Sequence, residues 1–218
     1  MEYYQKSLNI DRKIYGEEHP NTATSYNNIG YIYQSQGKYE KALEYIQKKL
    51  DSRIKIYGEE HPDTAISYKS IGDVYISQGK YEKALEYFQK SLDIFKKTYG
   101  EEHPSTASSY NNIGSTYQLQ GKYEKALEYL KKSLDLRIKI YGEKHPDIAA
   151  SYLNITYASL FSLKFDATLI YSERYLSIIK LLFGMIHRRA VMVYEFLLKR
   201  FEIYLEWLLF LKKYDEAK

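Results

Sequence analysis

Residues 21 to 57 carry two apolar stripes at helical spacing. Tyr26, Ile29 and Tyr33 mark the first; Ala42, Leu43, Ile46, Leu50 and Ile54 mark the second. Each stripe is the buried side of an amphipathic helix. Gly37 separates the two and Gly58 ends the second, the places where a left-handed glycine closes a helix. The pattern therefore predicts a helical hairpin: helix A up to Gly37, then helix B from Lys38-Tyr39 to about Tyr57. Away from the second stripe, Glu44 and Lys48 stand four residues apart, as do Glu2 and Lys6, Glu86 and Lys90, and Glu128 and Lys132. Such pairs mark a solvated face. Asn21, Asp63, Ser105 and Asp147 hold one position ahead of each helix A. All four can accept from an open backbone N–H, so the N-cap is expected there.

The hairpin recurs. Gly-Glu-Glu-His-Pro begins at residues 16, 58 and 100, and Gly-Glu-Lys-His-Pro at 142, a constant step of 42. A fixed period of this size predicts stacked repeats, with helix breaks at Gly16, Gly37, Gly58, Gly79, Gly100, Gly121 and Gly142. All eleven glycines, all four prolines and all five histidines stay in phase with the period. Gly30, Gly72 and Gly114 fall inside helix A, where glycine costs about 1 kcal/mol against alanine. A cost that repeats predicts a repeated close approach to helix B, where Ala42, Ala84 and Ala126 supply the matching small residues.

Tyr26, Ile29-Gly30, Tyr33, Gly37, Tyr39 and Ala42 resemble the signature of the tetratricopeptide repeat. The same slots return at Tyr68, Ile71-Gly72, Tyr75, Gly79, Tyr81 and Ala84, and at Tyr110, Ile113-Gly114, Tyr117, Gly121, Tyr123 and Ala126. The 42-residue form with Gly-x-x-His-Pro between units is similar to the repeats of kinesin light chains and nephrocystin-3. The resemblance covers about residues 1 to 160. It implies an all-α fold, a right-handed superhelical solenoid of antiparallel helix hairpins. Residues 1–15 align with a lone helix B, 16–163 with the regular array, and 164–218 with a degenerate repeat that ends in a long apolar helix near 189–211. In the fourth unit Thr156 stands for the helix-A glycine, Ser159 for its tyrosine, Leu163 for the turn glycine and Thr168 for the alanine.

Composition narrows the chemistry. A net charge of +4, from 32 basic and 28 acidic residues, is too balanced for a nucleic-acid surface. There is no cysteine, hence no disulfide and no thiolate metal site. The most apolar stretch, 190–211, contains Glu195, Lys199, Arg200, Glu202 and Glu206, too many charges for an ordinary membrane span. The ladder histidines lie too far apart to converge on one metal ion. Ser35-Gln-Gly-Lys38 and Ser77-Gln-Gly-Lys80 have a spacing used by some serine hydrolases, but a turn glycine separates the pair. Most of the 26 tyrosines sit in recurring slots and read as core rather than as a base-stacking platform. The expectation is a cytoplasmic, non-enzymatic protein without cofactor or metal, with no nucleic-acid or membrane partner.

What varies from unit to unit is one face of the A helices. In the family that face is concave and lined by the positions held here by Asn27, Tyr31 and Gln34, then Lys69 and Asp73, then Asn111, Ser115 and Gln118. Asn28, Asn112 and Asn154 precede the isoleucine of each helix A, with Ser70 interrupting the series. In kinesin-light-chain-like arrays this asparagine bonds the main chain of a bound peptide, and a carboxamide has both the donor and the acceptor for it. The resemblance thus implies a protein-interaction scaffold holding an extended or partly helical peptide in its groove. Two other readings stay open: a structural segment that self-associates through the apolar C-terminal helix, and an accessory repeat domain of a larger protein.

Overall fold

The computed structural model describes residues 1–183, together with Lys199 and Glu206. The long helix expected near 189–211 lies outside the described residues. Among those described, the elements are all helical: α1 (Glu2–Tyr15), α2 (Pro20–Ser35), α3 (Tyr39–Tyr57), α4 (Pro62–Ser77), α5 (Tyr81–Tyr99), α6 (Pro104–Leu119), α7 (Tyr123–Tyr141), α8 (Pro146–Phe161) and α9 (Phe165–Phe183). The chain divides into two compact units, Met1–Gly121 and Lys122–Lys218. In the first, α2 packs on α3 and α4 on α5 as hairpins, while α1, α3 and α5 each also pack on the A helix that follows. In the second, α7 packs on α8, and α8 on α9.

The helix ends follow from backbone chemistry. Gly37, Gly79 and Gly121 have φ of 72°, 71° and 74°. The Gly37 N–H bonds the Gln34 carbonyl at 2.9 Å and the Lys38 N–H the Tyr33 carbonyl at 2.9 Å, which satisfies the last open carbonyls of α2. Gly16, Gly58, Gly100 and Gly142 end the B helices, with φ between 77° and 88°.

The cap at the start of each A helix is not where the sequence places it. The N-cap is the histidine, two residues before Asn21, Asp63, Ser105 and Asp147. Proline explains the shift. It lacks an N–H and suits the first helical position, and it drives the residue before it into extended backbone. His19, His61, His103 and His145 accordingly sit at ψ near 145°. Each Nδ1 accepts the N–H of the residue after the proline, at 3.1–3.2 Å. Each imidazole also stacks on the tyrosine four residues earlier, at centroid distances of 4.1–4.5 Å. A further bond ties the crossing down: Thr22, Thr64 and Thr106 donate to the carbonyls of Gly16, Gly58 and Gly100 at 2.7–2.8 Å.

The close approach predicted for the helix-A glycines is present at Gly30 and Gly72. A Cβ on Gly30 would stand 2.7 Å from Ile46 Cγ1, and one on Gly72 2.6 Å from a Phe88 ring carbon. Around these contacts the recurring tyrosines stack, Tyr33 on Tyr45 and Tyr75 on Tyr87, each at 5.6 Å. Ala42, Ile46, Leu50, Ile71 and Val74 form the buried core of the α3–α4 region.

The degenerate repeat keeps its geometry. The helices α8 and α9 have 16 and 19 residues, the lengths of every other A helix and every other full B helix. Leu163 replaces glycine at the turn and adopts φ of 57°, with the Lys164 N–H bonded to the Ser159 carbonyl at 2.9 Å.

Two stability outcomes follow. In Gly72→Ala the added methyl meets an aromatic ring held by its neighbours; overpacking of roughly 1–3 kcal/mol outweighs a helix-propensity gain of about 1. A net loss is expected in urea denaturation. Leu163 is 67% exposed, so Leu163→Gly sacrifices little burial and relieves a left-handed backbone. A gain of about 0.5–1 kcal/mol is expected after the entropic cost of glycine, read from the same denaturation curves.

Candidate functional site

The positions expected to line the face lie on α2, α4 and α6 of the first unit; Asn154, on α8, belongs to the second. Their surroundings differ. Asn28 is exposed and Tyr31 is 67% exposed. Asn111, Asn112, Ser115 and Gln118 are half-buried along α6. Asn111 and Asn154 each interact within the protein.

Four more of the expected residues have identified partners. Gln34 Nε2 donates to the Asp73 carbonyl at 3.2 Å and to Ser77 Oγ at 2.8 Å, so this side chain bolts α2 to α4. Lys69 and Asp73 form an ion pair at 2.7 Å along α4, both partly exposed. The Asn27 Oδ1 accepts from Lys49 Nζ at 2.9 Å.

Lys49 was not among the residues expected at this face. It belongs to helix α3, in a slot that elsewhere holds Ser7, Ser91, Ser133 and, in α9, Tyr175. Its side chain reaches through the seam between α2 and α4, and its ammonium bonds Asn27 Oδ1 and, at 3.2 Å, Ser70 Oγ. Only 7% of the residue is exposed. Burial pushes its pKa down to about 8, helped by the positive charges of Arg53 and Lys69 and opposed by Asp63 and Asp73. Ser70 is the residue that interrupts the Asn28, Asn112, Asn154 series. The seam that gains a lysine is thus the seam that exchanges asparagine for serine. The only signal in the sequence is that joint departure at positions 49 and 70, 21 residues apart.

Among the described residues, no three side chains of the ligating types group as a metal site. Nor is any described helix long and apolar enough to cross a membrane.

The tetratricopeptide repeat family model matches residues 2–55, 25–97, 71–139 and 105–180, together spanning most of the chain. No curated protein matches it. Several solved structures share the fold. BtubC (BKLC) from P. vanneervenii superposes with a TM-score of 0.73 at 19% identity, over 84% of this chain and 73% of that one. A putative kinesin light chain from Podosopora anserina, with nearly identical TPR-like repeats, gives 0.68 at 24% identity, over 82% and 85%. The aspartyl phosphate phosphatase F of Bacillus subtilis gives 0.73 at 15% identity, over 89% of this chain and 49% of that one. At these identities the likeness carries the fold alone.

Lys49 makes stability depend on pH in a known direction. Its folded pKa, about 8, lies below the ordinary 10.5. The unfolded chain therefore holds the proton more tightly, and stability rises with pH between about 8 and 10. The contribution is complete above the unfolded value and is gone once pH has fallen through the folded one. Burial raises the pKa of Tyr26, Tyr68, Tyr87, Tyr110 and Tyr171 above the ordinary tyrosine value of 10.0, so their ionisation in the unfolded chain opposes the gain as pH approaches 10. Urea denaturation at pH 7.5 and about pH 9 should show a gain of roughly 1 kcal/mol. Lys49→Met should lack it.

Proposed function

The chain belongs to the tetratricopeptide repeat family, and from that premise we propose that it is a non-enzymatic scaffold whose α2, α4 and α6 form a groove for an extended or partly helical peptide. One observation carries the reading. Along these helices the slots that repeat, such as Ile29, Ile71 and Ile113, are buried. The slots that change from repeat to repeat, such as Tyr31, Asp73 and Ser115, stay partly or fully exposed. Packing explains the first set and not the second. A face whose chemistry differs at each step suits a ligand read residue by residue along its length.

Within that face Asn28 and Asn112 are the side chains suited to the ligand's backbone, since each amide offers one acceptor and two donors. The Asn28 side chain makes no hydrogen bond within the protein among the described residues. Tyr31 beside it offers a ring and a hydroxyl. Gln34, by contrast, is spent on α4 and serves the groove by holding its walls together.

The test is a peptide selected from a displayed library against the full chain. The double variant Asn28→Ala, Asn112→Ala should lose that peptide by tenfold or more, while its unfolding free energy stays within about 0.5 kcal/mol of the parent, as for surface substitutions in general. Undiminished binding by a folded double variant would remove the groove.

A further inference from the structure

The seam between α2 and α4 is one-sided in its hydrogen bonding. An ammonium can only donate, so the Asn27 amide turns its oxygen to Lys49 and leaves its NH2 group to face elsewhere. Ser70 Oγ accepts from the same ammonium and spends its own proton on the Ile66 carbonyl at 3.0 Å. Both oxygens are thus turned toward the ammonium. The seam retains donors: the Asn27 NH2 and the third hydrogen of the Lys49 ammonium.

Charge is one-sided as well. The groups that act on Lys49 are Arg53 on α3 and Asp63, Lys69 and Asp73 on α4. Arg53 is paired with Asp63 at 3.2 Å and Lys69 with Asp73 at 2.7 Å. Lys49 is left with neutral oxygens and no carboxylate within ion-pair distance among the described residues. A buried cation without a counter-charge is costly, and the fold does not demand it, because the equivalent slots hold serine at 7, 91 and 133 and tyrosine at 175. Ser91, in the next such slot, is buried as well, and its hydroxyl has no hydrogen-bond partner.

We propose that this seam is a subsite for the carboxylate of an aspartate or glutamate side chain on a bound extended peptide, held by Lys49 Nζ and the Asn27 NH2. The inference rests on the peptide-groove reading and adds what that reading lacks, the chemistry of one ligand residue and its place. Only one slot of its kind carries a lysine, so the acidic residue also sets the register of the peptide along otherwise similar repeats. An arriving carboxylate supplies the missing counter-charge and favours the protonated amine. Binding therefore weakens as pH rises above about 8, where the empty seam is losing its proton.

The experiment uses the full chain and two small probes, N-acetylglutamate N-methylamide and its glutamine counterpart, followed by NMR of the Lys49 side chain. The glutamate probe should shift the Lys49 resonances and raise their titration midpoint by roughly one pH unit or more; the glutamine probe should do neither. Lys49→Met should abolish the difference between the probes. So should the pair Lys49→Ser, Ser70→Asn, which rebuilds the residues of the other seams and keeps the test valid if the methionine variant fails to fold. Equal effects of both probes, or a glutamate preference that survives in these variants, would overturn the subsite. So would inorganic phosphate shifting Lys49 where the glutamate probe does not.

A library-selected peptide then separates the two claims. Replacing its acidic residue by the amide should weaken binding about tenfold in the parent and not in Lys49→Met. A peptide that needs Asn28 and Asn112 but tolerates that replacement overturns the subsite and leaves the groove. One that needs its carboxylate and Lys49 but not the asparagines does the reverse.

Discussion

Three of the four crossings between repeats are fastened by a hydroxyl; the fourth has Ile148 in that place. A B helix that ends in glycine leaves a carbonyl that no helical N–H can reach. Thr22, Thr64 and Thr106 close that account from the first turn of the next A helix. The same few residues hold the histidine cap and its tyrosine stack. The chain therefore turns from one repeat into the next along a path fixed by backbone bonds, and the A helices arrive beside one another in a set order. The glycine contacts on Ile46 and Phe88 then set how closely each hairpin closes. The candidate face is a by-product of those two constraints: the side of helix A that neither consumes.

The turn and the hairpin were legible in the sequence because they repeat. A glycine every 42 residues announces a helix end, and one inside a helix announces a close neighbour. The cap was misplaced for a definable reason. Asn21, Asp63, Ser105 and Asp147 are good capping residues, and local preference favoured them over histidine. Proline at the first helical position overrode that preference by fixing the backbone one residue earlier. The threonine bond was also written in the period, at 22, 64 and 106, but nothing in a threonine says which carbonyl it will meet.

The candidate face is less legible than the hairpin. Variation between repeats picks out one side of α2, α4 and α6, but it does not separate side chains left open from side chains that fasten the walls. Gln34 and Asp73 look alike on that criterion, and they are joined to each other across two helices. Lys49 lay beyond it altogether, because it belongs to a B helix and its stem, not its position, brings the charge to the seam. Long side chains carry their function several ångströms from their backbone. The paired departure of positions 49 and 70 from the repeat is what a contact between helices leaves in the sequence of a single chain.

Leu163 holds a backbone conformation that leucine disfavours, and the hairpin around it closes as the glycine hairpins do. The shape of a repeat is therefore over-determined, with more constraints than it needs, so the loss of one signature residue is absorbed locally and does not spread. Frame and content are inherited separately in such a protein. The lengths of 16 and 19 residues are conserved from copy to copy while the residues inside them drift, and the array behaves as a ruler with fixed graduations and rewritable labels. A change of label, as at Lys49, alters the chemistry at one step and leaves the spacing of the ruler as it was.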